Sequence, residues 1–177
     1  MSEFRRTNSC FWSPEMQTLT DSFGRTIDYL RISLTDKCNL RCRYCMPPQG
    51  INHIPHEEIL TFEEIVQIVR VLAGLGLKKI RLTGGEPLVR RDIVNLINLL
   101  KDIPGIEEIC LTTNGLLFSD MASGLKTAGL RRVNISLDTL KDDTFFEITG
   151  SRGVEKVIKS IQTALILGFP VKINWNT

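Results

Sequence analysis

The stretch DYLRISLTDKCNLRCRYCMP, residues 28–47, decides the fold. It opens as a strand, because Leu30, Ile32 and Leu34 alternate with Arg31, Ser33 and Thr35. Side chains point to opposite faces along a strand, so one face is apolar and the other polar. Four later stretches repeat the pattern: KKIRLT (78–83), EEICLTTN (107–114), RRVNISLD (131–138) and PVKINWN (170–176). Ile80 and Leu82 alternate with Arg81 and Thr83, and Ile109 and Leu111 with Cys110, Thr112 and Asn114. Val133, Ile135 and Leu137 alternate with Asn134, Ser136 and Asp138. Val171, Ile173 and Trp175 alternate with Lys172, Asn174 and Asn176, which puts Trp175 on the apolar side.

Helical periodicity separates these strands. Thr61 and Glu64 form a capping-box pair ahead of Ile65, Ile68, Val69 and Leu72. Ile93, Leu96, Ile97 and Leu100 make a second stripe. Val154, Val157, Ile158 and Ile161 make a third, continuing to Ala164 and Leu165. Gly76, Gly105, Gly129 and Gly168 follow helical patterns, where a left-handed cap favours glycine. Strand–helix repetition of this kind predicts right-handed crossovers and a parallel sheet. A parallel sheet covered on both faces reads as continuous Val, Ile and Leu. A polar face in every strand instead predicts a barrel, closed or partial, with a polar lumen; one solvated sheet face is the alternative. In either fold the active site belongs at the C-terminal ends of the strands.

The 177 residues amount to about one domain. With 42% hydrophobic and 24% charged residues, the composition is that of an ordinary globular chain. A net charge of +2 is too mild to point to nucleic acid or an anionic membrane. No apolar run approaches the ~20 residues a bilayer requires. The N-terminus has no apolar core of a secretory signal, which predicts a cytoplasmic or other reducing compartment. Residues 1–20 read as an extension and 21–177 as the folded domain.

Five cysteines is an odd count for a disulfide framework, and Cys38, Cys42 and Cys45 cluster directly after the first strand. Thiolates select iron–sulfur clusters, zinc or copper(I). Three local cysteines serve three corners of a cuboidal cluster and leave one iron for a non-protein ligand. Lys37, Arg41 and Arg43 add positive charge that favours thiolate. A zinc site with three cysteines and a histidine is the rival, but His53 and His56 match zinc spacing poorly. Thr83-Gly84-Gly85-Glu86-Pro87 ends the second strand. Its glycines allow close backbone approach, and Glu86 is in place to hold an ammonium group. Arg31, Arg81 and Lys172 share the polar face with Thr112, and Asp138 is the carboxylate available to pair with them; phosphate is the ligand this favours.

Taken together, DSFGRTIDYLRISLTDKCNLRCRYCMP (21–47), IRLTGGEPLVRRD (80–92), LTTNG (111–115), NISLDTL (134–140) and VKIN (171–174) resemble the radical S-adenosylmethionine superfamily. Within it they are most similar to the GTP 3′,8-cyclases of molybdenum-cofactor biosynthesis, the MoaA family. The resemblance implies a partial parallel (βα) barrel, here truncated after about the fifth strand, and a 4Fe–4S cluster on Cys38, Cys42 and Cys45. It further implies that S-adenosylmethionine binds the open iron and yields a radical that takes hydrogen from the GTP ribose. The product would be (8S)-3′,8-cyclo-7,8-dihydroguanosine 5′-triphosphate. By the same match Tyr44 lies near the adenine, Gly85 near the methionyl amine and Ser136 near the carboxylate. Arg31, Arg81, Thr112 and Lys172 match positions that contact GTP. The implied partners are GTP, an electron donor, a C-terminal region or complementing chain, and a second copy in a homodimer. That C-terminal region carries a second three-cysteine cluster in the family and has no counterpart in these 177 residues, so the chain reads as a fragment, an alternative product or half of a two-chain enzyme. A scaffold chain that binds a cluster without catalysis, or a radical enzyme acting on another anion, are the competing readings.

Overall fold

A computed structural model describes residues 18–47 and 49–175. Strand β1 (Tyr29–Ser33) leads through the cysteine loop to helix α1 (Phe62–Gly74). Then follow β2 (Lys79–Thr83), α2 (Ile93–Lys101), β3 (Glu108–Thr113), α3 (Phe118–Ala128), β4 (Arg132–Ser136), α4 (Asp142–Thr149), α5 (Val154–Ile166) and β5 (Val171–Asn174). All five strands are parallel and lie side by side in chain order. Sequential order with right-handed crossovers puts the connecting helices on one side of the sheet. A doubly wound sheet reverses its order midway and covers both faces; this sheet never reverses. It is open among the described residues and forms a partial barrel.

The helix-facing residues make the core: Ile80, Leu82, Ile109, Leu111, Val133 and Ile135 are at most 2% exposed. Against them pack Ile65 and Val69 of α1, Ile93, Leu96, Ile97 and Leu100 of α2, Leu125 of α3 and Val157 of α5. The predicted stripe on α1 is rotated: Val66 is buried with Ile65 and Val69, while Ile68 is exposed. Leu165, the predicted end of the α5 stripe, is exposed as well. The capping box of α1 is formed in full, with the Glu64 N–H donating to Thr61 Oγ1 at 3.2 Å and the Thr61 N–H donating to Glu64 Oε2 at 2.7 Å.

Three local expectations need correction. Gly105 does not cap α2; that helix stops at Lys101, and Gly105 turns the chain three residues after the Asp102 cap. Trp175 lies beyond the end of β5, so strand alternation no longer governs it, and it is 68% exposed. Helix α4 is an addition between β4 and α5 that the apolar periodicity left unmarked; only Phe145 and Thr149 of it are buried. Residues 19–27 fold back on themselves through a Thr20–Thr26 bridge and are tied to the body by the Leu19 N–H donating to the Leu75 carbonyl. Cys10 and the rest of residues 1–17 lie outside the described residues.

Candidate functional site

Strand register sets out the polar face in rows. Arg31, Arg81, Cys110 and Arg132 form one row, and Thr112, Asn134 and Lys172 the next. Ser136 pairs with Asn174 above them, toward the C-terminal ends of the strands. At that end a cavity of about 920 Å³ opens. Cys38, Cys42, Cys45, Tyr44, Gly85, Ser136, Arg31 and Thr112 all line it. Arg81 and Lys172, expected at the same ligand, are not among its lining residues.

The cysteine loop is held from three directions. From β2, the Gly85 N–H donates to the Thr35 carbonyl at 2.7 Å and the Glu86 N–H to the Lys37 carbonyl at 2.8 Å. From α4, the Thr149 and Ile148 carbonyls accept the N–H groups of Arg41 and Arg43. From β3, Asn114 Nδ2 donates to Asn39 Oδ1 at 2.7 Å and reaches Cys38 Sγ at 3.8 Å. The Leu40 N–H also points at Cys38 Sγ, at 3.4 Å. Helix α4 is therefore a clamp on the loop that carries the thiols. Lys37, Arg41 and Arg43 are not among the groups that shift Cys42 or Cys45. Burial, followed by the Cys38 thiol and Asp138, pushes Cys45 above the ordinary thiol range, and burial does the same to Cys42 despite a hydrogen bond from Tyr44.

The Gly-Gly segment packs against protein backbone. A Cβ on Gly85 would lie 2.7 Å from the Asp36 carbonyl oxygen and still closer to that of Lys37. Gly84 adopts φ +148°, and a Cβ there would meet the Thr35 carbonyl at 2.6 Å. Close approach is what these glycines serve, and on the side of the missing Cβ the partner is the backbone leading to Cys38, while both glycines also line the cavity. Glu86 does not hold an ammonium group. It is 0% exposed, and its carboxylate accepts from Thr113 Oγ1 (2.8 Å), the Asn114 N–H (2.7 Å) and the Leu88 N–H (3.0 Å). Burial raises its pKa even against those three donors. Glu86 ties the end of β2 to the end of β3.

Arg81 sits in register with the like-charged Arg31 and is held by other partners. Its Nε donates to the Tyr29 hydroxyl, its guanidinium stands 5.7 Å from the Tyr29 ring centre, and its Nη1 reaches Thr112 Oγ1 at 3.5 Å. Lys172 is exposed on β5. Asp138 is not the sole carboxylate on this face, because Glu108 lies there too and pairs with Arg132 at 3.2 Å. Burial and then Glu108 push the Cys110 thiol up to about 11. Asp138 is engaged by Tyr44, whose hydroxyl donates to Oδ2 at 2.7 Å; burial, then that bond, raises the phenol's pKa.

Sequence reasoning passed over Asp36, Tyr29 and Asn134. Asp36 lines the cavity two residues before Cys38. Its Oδ2 accepts from His53 Nδ1 and from the Ile54 N–H, each at 2.8 Å, and the Ile54 bond above all holds its carboxyl below the usual range. Asp36 Oδ1 and Asn134 Oδ1 are buried without a hydrogen-bond partner. The signal for Asp36 was its position beside the first cysteine.

The donor set fits a cluster better than a single ion. Tetrahedral zinc thiolates bring sulfurs within about 4 Å of one another. Among the described residues no three His, Cys, Asp or Glu side chains converge on a single-ion site. Three thiols lining one cavity, with the Leu40 N–H and Asn114 Nδ2 aimed at Cys38 Sγ, match a group in which each thiolate serves its own iron. The remaining lining mixes apolar side chains (Leu40, Met46, Ile51, Ile173 and Trp175) with polar ones, and includes a single carboxylate, Asp36, and a single cation, Arg31.

Comparison with known proteins agrees. GTP 3′,8-cyclases of Petrotoga mobilis and Moorella thermoacetica are each 55% identical over 157 residues, 88% of this chain and 49% of theirs. The chain thus spans about half the length of the curated relatives it matches. Among solved structures, methylornithine synthase superposes with a TM-score of 0.66 at 20% identity, over 83% of this chain and 44% of that one. SuiB of Streptococcus suis, solved with S-adenosylmethionine, also gives 0.66 at 25% identity, over 84% and 32%. The Radical SAM superfamily model matches residues 32–176, so the chain belongs to that superfamily.

Proposed function

We propose that this chain forms the N-terminal, radical-generating part of a GTP 3′,8-cyclase. The observation that carries the proposal is one cavity lined at once by the three thiols, Tyr44, Gly85, Ser136, Arg31 and Thr112. Cys38, Cys42 and Cys45 would hold the 4Fe–4S cluster. When bound, the cluster and S-adenosylmethionine supply a carbon radical able to abstract hydrogen from an unactivated C–H bond. The chain's own residues bind and orient. Tyr44, fixed by Asp138, presents an edge or face to the adenine, Gly85 offers backbone to the amino-acid end, and Ser136 offers a hydroxyl to the carboxylate.

GTP would occupy the deeper lumen. Arg31 faces the cavity directly; Arg81 is held by Tyr29 and Thr112 and would turn toward a polyphosphate, with Lys172 as a point charge from β5. An electron donor and the C-terminal half found in the longer relatives would complete the reaction. We place the domain at residues 21–177, with 1–20 an extension, in the cytoplasm, where thiols stay reduced. No helix among the described residues is long and apolar enough to cross a membrane. The test is anaerobic cluster reconstitution followed by EPR with and without S-adenosylmethionine, then a product assay with GTP on the chain joined to a relative's C-terminal half. A reconstituted cluster whose EPR signal ignores S-adenosylmethionine would defeat the proposal.

A further inference from the structure

Asn114 follows β3, and each polar atom of its side chain has a partner, one of which is a thiol. Its backbone N–H donates to Glu86 Oε2 at 2.7 Å, which anchors the end of the strand. Its Oδ1 accepts from the Leu116 N–H at 3.0 Å. A backbone N–H has to meet the oxygen of the amide, so the NH2 group faces the other way. There it finds Asn39 Oδ1 at 2.7 Å and Cys38 Sγ at 3.8 Å, long for an oxygen acceptor but within reach of the larger sulfur. The amide nitrogen carries two hydrogens; one serves Asn39 and the other is left for the thiol. The Leu40 N–H reaches the same sulfur at 3.4 Å. Cys38 thus has a backbone donor from its own loop and a side-chain donor from the end of β3, 76 residues on. Asn114 lines the cavity together with the three thiols.

We propose that Asn114 is a positioning residue that donates through Nδ2 to the Cys38 thiolate and raises the reduction potential of the cluster the three cysteines hold. The proposal rests on the reading that these thiols carry an iron–sulfur cluster. Reduction adds one electron, and part of that charge falls on the ligand sulfurs. An N–H donor therefore stabilises the reduced form more than the oxidised one, and hydrogen bonds to sulfur are among the determinants of cluster potential. The bonds to Glu86 and Leu116 set the angle of the amide independently of the cluster.

The test is an anaerobic redox titration of the reconstituted chain, read by the EPR signal of the reduced cluster. Parent, Asn114→Ala and Asn114→Asp are compared, with iron content measured on each. Asn114→Ala should move the one-electron equilibrium toward the oxidised form by about three- to tenfold, a potential about 30–60 mV more negative. Asn114→Asp, which loses the donor and adds a charge, should move it further. An unchanged potential in Asn114→Ala at full iron loading overturns the proposal. So does a shift confined to Asn114→Asp, which would be an effect of charge alone. If the variants take up no iron, the parent still decides. Labelled with asparagine carrying ¹⁵N at the side-chain amide, its reduced cluster should show a hyperfine coupling to that nitrogen in pulsed EPR. The coupling should persist in Asn39→Asp, which removes the other amide nitrogen beside Cys38 and keeps an oxygen for Asn114. Absence of the coupling, or its disappearance in Asn39→Asp, overturns the proposal. A parent that holds no cluster defeats the functional reading as well; a cluster that responds to S-adenosylmethionine but not to Asn114 defeats this assignment alone.

Discussion

Replacing Gly85 by alanine tests whether the Gly-Gly segment is a brace for the cysteine loop. The added methyl would lie 2.7 Å from the Asp36 carbonyl oxygen and 2.7 Å from the Lys37 carbonyl carbon. Both are backbone atoms, so no rotamer change relieves the contact. Separating the segments strains two hydrogen bonds, Gly85 N–H to Thr35 and Glu86 N–H to Lys37. Overpacking costs about 1–3 kcal/mol, and each net hydrogen bond about 1 kcal/mol. The overlapping terms place the loss at about 2–4 kcal/mol, out of a total stability of roughly 5–15 kcal/mol. For a chain of this size that lowers the melting temperature by about 4–16 °C. Thermal circular dichroism of the apo chain reads the effect without any cofactor, and iron content after reconstitution should fall with it. A melting temperature within 1 °C of the parent, with full iron loading, would refute the bracing role and return Gly85 to a contact made for ligand alone.

Gly74 supplies the opposite case: it ends α1 with no atom within 4 Å of a Cβ, so Gly74→Ala should stabilise by about 0.4–1 kcal/mol, measured by urea unfolding. Changing Cys38, Cys42 or Cys45 singly to Ser should abolish the brown colour and about four irons per chain, and a colourless parent carrying stoichiometric zinc would rule the cluster out. Arg81→Ala in a chain completed with a C-terminal half should weaken GTP binding by about 2–5 kcal/mol while S-adenosylmethionine binding holds, and equal GTP affinity by calorimetry would remove Arg81 from the substrate site. Glu86 has its pKa raised on folding, so the folded state holds its proton more tightly and the side chain's contribution declines as pH rises above about 4.5. The stability deficit of Glu86→Gln relative to the parent should therefore shrink between pH 4.5 and 7, and a deficit that grows with pH would reverse the assignment.

The sequence by itself determined the architecture and the position of the thiols. Alternation in five strands separated a helix face from a polar face, and the register bears this out with Arg31 beside Arg81 and Thr112 beside Asn134. Such patterning is local: a side chain's face follows from its parity along the strand, whatever lies elsewhere. Spacing alone likewise put Cys38, Cys42 and Cys45 on one loop at the C-terminal end of β1.

What the parity of a residue does not determine is which partner it meets, and there tertiary structure decided. Glu86 looked available to a ligand because the sequence gives no sign that Thr113 and the Asn114 N–H, 27 and 28 residues away, would converge on it. Gly85 lines the cavity, but the side on which a Cβ would stand is filled by the backbone of residues 36–37, brought alongside by β1–β2 pairing. Arg81 and Lys172 share the face with Arg31 yet stand away from the cavity wall, since a long side chain goes to the nearest partner, here Tyr29 and Thr112 for Arg81. Helix α4 carries little apolar periodicity and is made by its contacts with the loop it clamps.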